Sequence, residues 1–243
     1  MLTTIVVDGP FFVKRIRQIF PIAIHYDPRV MADLVWRLSA AHLFERNQPK
    51  RHLFRIFFYD MSVQEKRVVL PVTRQSVDLS RTKEGLFRQA FHRQLHRKRK
   101  LSLRLGEGGE MTGWQLREDA LNDLIAKRME TDELHDDDFT PNVNLRGMAL
   151  RMGVDIVSLA YKRQVQQIVL LAGDGYFAPA AELARHEGVD IVLDPMWQNI
   201  PEDLFAFIDG LRSTCPPAER AGEFLSRAPN DSSELAEEDL PAG

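Results

Sequence analysis

The chain has 243 residues, 44% hydrophobic and 28% charged, a balance that suits a soluble globular protein with enough length for one large α/β domain. No apolar run approaches the ~20 residues of a membrane span, the N-terminal MLTTIVVDGPFF lacks a basic lead-in, and the single cysteine, Cys215, excludes an internal disulfide or a Cys-rich metal centre. A reducing, cytoplasmic setting is expected. The net charge of −3 conceals a basic middle, an acidic segment after it and an acidic tail, so local patches say more about partners than the total does.

In chain order, Thr4–Val7 is a short β-branched run closed by Asp8-Gly9-Pro10 and reads as the first strand. Residues 27–46 carry Val30, Met31, Leu34, Val35, Leu38, Ala41 and Leu43 at helical spacing, with Asp27 as N-cap and Pro28 in the first turn. Phe54–Tyr59 is the second strand and ends at Asp60. Residues 83–99 predict a strongly basic helix whose apolar side is Leu86, Phe87, Ala90, Phe91 and Leu95, and the third strand is Leu101–Leu105. An acidic segment at about 107–143 follows, with one amphipathic helix (Trp114, Leu121, Leu124, Ile125, Met129) and the run Asp136–Asp138, read as a solvated loop or cap.

Residues 145–163 form a long helical pattern, although Gly147 and Gly153 leave its start open. Ile168–Leu171 is an apolar strand stopping at Gly173-Asp174-Gly175, followed by a helix over 179–186, a fifth strand over 189–193 ending at Asp194, and a last helix over 202–212. Trp197 and Phe205 read as core or interface residues. From Ser213 to Gly243 the composition turns to Pro, Ala, Ser and Glu, and a flexible tail is expected. Alternating strands and helices imply a three-layer α/β fold with a five-stranded, mainly parallel sheet. No Gly-x-Gly-x-x-Gly follows the first strand and no Gly-Lys-Ser/Thr loop exists, which removes the main support for dinucleotide or P-loop chemistry.

Four of the five strands end in or just before an aspartate: Asp8, Asp60, Asp174 and Asp194. In a parallel sheet these carboxylates gather along the C-terminal edge, where open α/β sheets bind ligands. Asp155 adds a fifth, either on the apolar stripe with Met148, Met152 and Leu159 or in a first helical turn aimed at the same edge. Two readings stand side by side. Clustered carboxylates without His or Cys suit a hard cation, Mg2+ or Mn2+, and phosphodiester chemistry. Alternatively, Asp155 pairs with Arg146 or Arg151 and the strand-end aspartates cap helices.

The ordered set VVDG at Val6–Gly9, FFYD at Phe57–Asp60, MGVDIVSLA at Met152–Ala160 and LLAGDGYF at Leu170–Phe177 resembles the NYN domain, a PIN-like nuclease fold, closest to the bacterial LabA-like group. The resemblance spans about 1–212, the acidic segment at 107–143 standing as an addition. It implies a Rossmann-like, PIN-like fold and a metal-dependent ribonuclease, with Asp8, Asp155 and Asp174 as catalytic and metal-holding residues and Asp194 or Asp190 as a fourth carboxylate. It also implies single-stranded RNA as partner and Mg2+ or Mn2+ as cofactor; no membrane is involved, and a homodimer is left open. The chain departs from the family pattern at Phe11 (usually Asn), Met152 (Lys), Tyr161 (often acidic) and Tyr176 (the second Asp of the turn). These departures point to a one-metal site, or to a catalytically degenerate domain that binds RNA or protein without cutting.

The basic block completes the reading. Arg93, Arg97, Lys98, Arg99, Lys100 and Arg104, with Arg146, are the expected nucleic-acid contacts, following a phosphate backbone in a salt-dependent way. No aromatic platform interrupts that block, so base-specific reading is not expected there.

Overall fold

The computed structural model describes residues 1–44, 51–106 and 111–226. In chain order the elements are β1 (Leu2–Asp8), α1 (Gly9–Ile19), α2 (Pro28–Ala41), β2 (His52–Met61), β3 (Arg67–Val69), β4 (Ser76–Asp78), α3 (Lys83–Leu95), β5 (Leu101–Gly106), β6 (Met111–Leu116), α4 (Glu118–Ile125), β7 (Phe139–Val143), α5 (Arg146–Tyr161), β8 (Gln167–Leu171), α6 (Ala178–His186), β9 (Asp190–Asp194), α7 (Glu202–Phe205), β10 (Gly210–Leu211) and α8 (Ala221–Ser226).

The central sheet is parallel with order β10-β9-β8-β1-β2-β5. The five expected strands are all present, and the two-residue β10 extends the β9 edge. β1 lies between β8 and β2, and Ile5, Val6 and Val7 are fully buried, as expected of a central strand covered on both faces. One face carries Ile5, Val7, Phe58 and Leu171 against α1, α2 and α3. The other carries Val6, Tyr59, Leu170 and Leu193 against α5 and α6. Two antiparallel ribbons, β3-β4 and β6-β7, stand apart from the main sheet.

Several elements differ from expectation. Gly9-Pro10 opens α1 rather than merely ending β1, because Asp8 caps the helix through Phe11 N (3.1 Å) and proline is tolerated in a first turn. Trp114 lies in β6, and the amphipathic helix is the shorter α4. α5 runs unbroken through Gly147 and Gly153. The helix expected over 202–212 is the short α7, which stops at Phe205; Leu204 is buried, whereas Phe205 and Trp197, expected as core or interface residues, are exposed.

The chain beyond Ser213 was expected to be flexible, yet it packs as far as Ser226. Thr214 bonds Asp194, Cys215 is buried and Phe224 meets Phe20 edge-on. Composition underestimated this stretch because a few well-spaced anchors suffice to fix it. The rest of the expected tail, 227–243, lies outside the described residues, as does the start of the acidic segment, 107–110.

Candidate active site at the C-terminal edge of the sheet

Asp8 ends β1 at the middle of the sheet, in register with Tyr59 of β2. It is buried (9% exposed), and its carboxyl is pushed up to about 6. Burial is the main cause, the charges of Asp60 and Asp174 add to it, and the Phe11 N–H opposes. The next residue must be glycine: a Cβ at Gly9 would sit 2.4 Å from the Tyr59 carbonyl oxygen, so only a bare backbone lets α1 start this close to β2. Asp174, three residues past the end of β8, is exposed and accepts a hydrogen bond from Tyr176 N (3.2 Å). Asp8 and Asp174 open onto one cleft of about 1050 Å³, walled by α5 and α6 on one side and by the β6-β7 ribbon on the other. The Phe11 ring lies against Gly173, where a Cβ would be 2.4 Å from it, so an aromatic ring occupies the place where the family usually has Asn.

Asp155 is not among the residues lining that cleft. Its Oδ2 accepts the Tyr59 hydroxyl at 2.7 Å and lies 3.9 Å from Arg104 Nε. Tyr59 is buried, and burial followed by the hydrogen bond to Asp155 holds its hydroxyl protonated well above the usual phenol range. The alternative reading of Asp155 as a paired carboxylate is thus realised, with Tyr59 and Arg104 rather than Arg146 or Arg151 as partners.

Asp60 and Asp194 reach the same edge but turn to the opposite face of the sheet. Asp60 is gripped by Arg88 (2.7 Å) and His92 (2.8 Å) of α3. Burial alone would raise its pKa, but the Arg88 charge and His92 outweigh that and leave it below the usual carboxylate range. Asp194 is 0% exposed; His42 at the end of α2 lies 2.9 Å from Oδ2, and Met196 N, Thr214 N and the Thr214 hydroxyl also donate to its carboxylate. Asp194, expected as a metal ligand, thus has its oxygens engaged inside the α2 layer. Asp190, the alternative fourth carboxylate, begins β9 at the far edge and accepts from Gln167 Nε2. Among the described residues, no three His, Cys, Asp or Glu side chains are gathered as a metal site. Of the expected Asp8, Asp155, Asp174 and Asp194, the structure brings Asp8 and Asp174 to the same cleft.

The basic block also changes place. The chain from the end of α3 through Arg97, Lys98, Arg99 and Lys100 leads into the start of β5, so this turn lies at the N-terminal edge, away from Asp8. Arg93 and Arg97 are exposed there, Lys98 pairs with Asp33, and Lys100 Nζ donates to the Leu53 carbonyl (2.8 Å). Arg104 is different: it is in register with Tyr59, which is in register with Asp8. Arg146 lines the cleft, and Arg151 donates to the Leu105 carbonyl beside it on the β5 side. Positive charge near the carboxylates thus comes from Arg104, Arg146 and Arg151, while the denser run lies at the other edge of the sheet.

The family model of the NYN domain matches residues 114–209. Over that span this chain is similar to the NYN domain. NYN domains form a PIN-like nuclease family, and the α/β architecture with its mainly parallel sheet agrees with that fold. The matched span holds the Asp155 helix, the Asp174 turn and most of the segment read as an insert, while Asp8 lies outside it. A crystal structure of a protein of unknown function from Vibrio parahaemolyticus is similar at a TM-score of 0.42 and 11% identity, over 87% of this chain and 91% of that one. No curated protein sequence matches. Among the described residues, no helix is long and apolar enough to cross a membrane. Sequence reasoning missed Tyr59 as the partner of Asp155, although its place directly before Asp60 on a predicted strand put it on the opposite face from Asp60, toward α5.

Proposed function

We propose that this NYN-like domain is a ribonuclease that hydrolyses single-stranded RNA with a divalent cation, Mg2+ or Mn2+, held by Asp8 and Asp174. The observation that carries the proposal is the Asp8 carboxyl, buried at the mouth of the cleft and pushed up to about 6 by burial and by its acidic neighbours. Such a site holds more negative charge than its surroundings compensate, and a cation relieves it. Two carboxylates fit Mg2+, which usually takes one or two from protein and completes its shell with water and substrate phosphate. When bound, the ion would act as a Lewis acid that neutralises charge developing on the phosphate. Asp8, fixed by the Phe11 N–H and by the tight Gly9 turn, would orient it. Arg146 would bind a flanking phosphate, and Arg104 would keep the β5 side of the edge positive.

Purified wild type, Asp8→Asn and Asp174→Asn are compared on labelled single-stranded RNA with Mn2+. The expected result is a loss of about a hundredfold or more in each variant, the order seen when a charge-stabilising group is removed. Equal cleavage by all three proteins refutes the proposal. The second reading, a degenerate domain that binds RNA without cutting, is favoured by two observations: Asp155 is engaged by Tyr59 and Arg104, and Tyr176 stands where the family's second aspartate would be. It predicts RNA retention unaffected by EDTA, with no products.

A further inference from the structure

The cleft that Asp8 and Asp174 open onto is mostly apolar beyond its acidic mouth, a composition that ion binding and phosphate contact leave unexplained. Leu150 (71% exposed) and Val154 (58%) stand one helical turn apart on the outer face of α5, with Leu183 of α6 beside them. Tyr176, two residues from Asp174, is 76% exposed at the same mouth. The opposing wall is the end of the β6-β7 ribbon, where Asn142 and Asn144 line the cleft and the Asn144 Oδ1 accepts from Arg146 N (3.0 Å).

That wall is held in place from outside the main sheet. Trp114 Nε1 donates to the Val69 carbonyl (2.8 Å), and Asp136 accepts from Val72 N (2.9 Å) and from the Thr73 hydroxyl (2.5 Å), tying the ribbon to the β3-β4 turn. The acidic run is therefore structural as well as solvated, since Asp136 anchors a wall of the cleft.

We infer that this cleft is a nucleobase slot, taking the base of an unpaired nucleotide whose phosphate lies at Asp8 and Asp174, with Tyr176 as the stacking surface and Asn142 and Asn144 as the polar rim at the base edge. The inference rests on the ribonuclease reading for the position of the phosphate. An aliphatic floor, one exposed aromatic ring and a polar rim at Asn142 and Asn144 suit a flat group with apolar faces and polar edges, whereas a phosphate gains nothing from Leu150 and Val154. A base paired inside a duplex presents neither face, so the slot selects unpaired RNA. The adjacency of Tyr176 to Asp174 ties the slot to the acidic mouth: the Tyr176 N–H is bonded to the Asp174 carboxylate, so ring and carboxylate are set by one turn.

The test is fluorescence anisotropy, run in EDTA and again with Ca2+ in place of Mg2+ or Mn2+ so that a cation remains at Asp8 and Asp174, with a short single-stranded RNA and an abasic strand of equal length. Wild type is expected to hold the intact strand about tenfold more tightly than the abasic one, the order expected of a stacked base. Tyr176→Ala should bind both strands at the abasic level, and Tyr176→Trp should keep the preference. Because Tyr176 is exposed, these variants are expected to fold. Equal binding of the two strands by wild type, or an unchanged preference in Tyr176→Ala, overturns the slot. Sedimentation provides a further check: a wild-type dimer broken by Val154→Glu assigns this face to a second copy and also overturns it. The two readings fail separately. Mn2+-dependent cleavage without a base preference sinks the slot alone, and a Tyr176-dependent preference without cleavage sinks the nuclease alone.

Discussion

Replacing Asp8 by Asn should make the protein more stable while disabling it. The Asp8 carboxyl is displaced from the ordinary 3.8 to about 6, chiefly by burial and further by Asp60 and Asp174. At about 1.4 kcal/mol per tenfold change in proton affinity, ionised Asp8 costs the fold about 3 kcal/mol at neutral pH. The sign follows from proton binding. Between 3.8 and about 6 the folded state holds more protons at this site than the unfolded state, so the contribution of Asp8 to stability falls as pH rises through that window. The penalty is fully present above it and absent below it. Asparagine removes the charge yet remains as good an N-cap as aspartate for the Phe11 N–H, so the start of α1 is preserved.

Thermal unfolding of wild type and Asp8→Asn in EDTA should therefore show the variant about 3 kcal/mol more stable at pH 8, roughly 6–12 °C in Tm for a domain of this size, with the gap closing toward pH 4. Added Mg2+ or Mn2+ should raise the Tm of wild type and leave the variant where it was, because only the native carboxylate binds the ion. A gap of equal size at both pH values would refute the reasoning, since it would then have nothing to do with ionisation. A variant less stable than wild type at pH 8 would refute it too.

Arg88→Met should cost about 3–5 kcal/mol in urea unfolding, because Asp60, buried beneath α3, keeps only His92 as an ionisable partner. His42→Ala should cost about 3 kcal/mol and speed amide hydrogen exchange selectively over residues 213–226, since His42 and Thr214 meet on the buried Asp194 carboxylate that anchors this segment. Arg146→Glu should weaken single-stranded RNA binding by about tenfold and flatten its salt dependence, whereas Arg97→Glu should change it by less than about twofold, as Arg97 stands at the opposite edge of the sheet. The reverse ranking in anisotropy titrations would place the RNA at the basic turn instead.

Much of the fold was legible because it depends on local signals. The five apolar runs, the Asp27-Pro28 helix start and the β-before-α alternation needed only side-chain period and turn chemistry, and each reappears in place. The short elements were not legible. β10 exists because β9 offers it an edge, and residues 213–226 are held by contacts with Asp194, Phe20 and Arg37 that no nearby residue announces. In the same way, α1 was hidden because Gly9-Pro10 is a stop signal for a strand and, with Asp8 as cap, an equally good start for a helix.

That carboxylates collect at one edge of a parallel sheet can be read from the residues alone, because strand direction is a matter of topology and Asp8, Asp60, Asp174 and Asp194 all fall at or near strand ends. Which of them face a common space depends on how the layers pack. Side chains alternate across a sheet, so one residue of register separates Tyr59, directed to α5, from Asp60, directed to α3. The helix layer on each face then decides the fate of the charge. α2 and α3 supply His42, Arg88 and His92 as partners for Asp194 and Asp60, while Asp8, at the cleft beside α5, is left buried next to acidic neighbours.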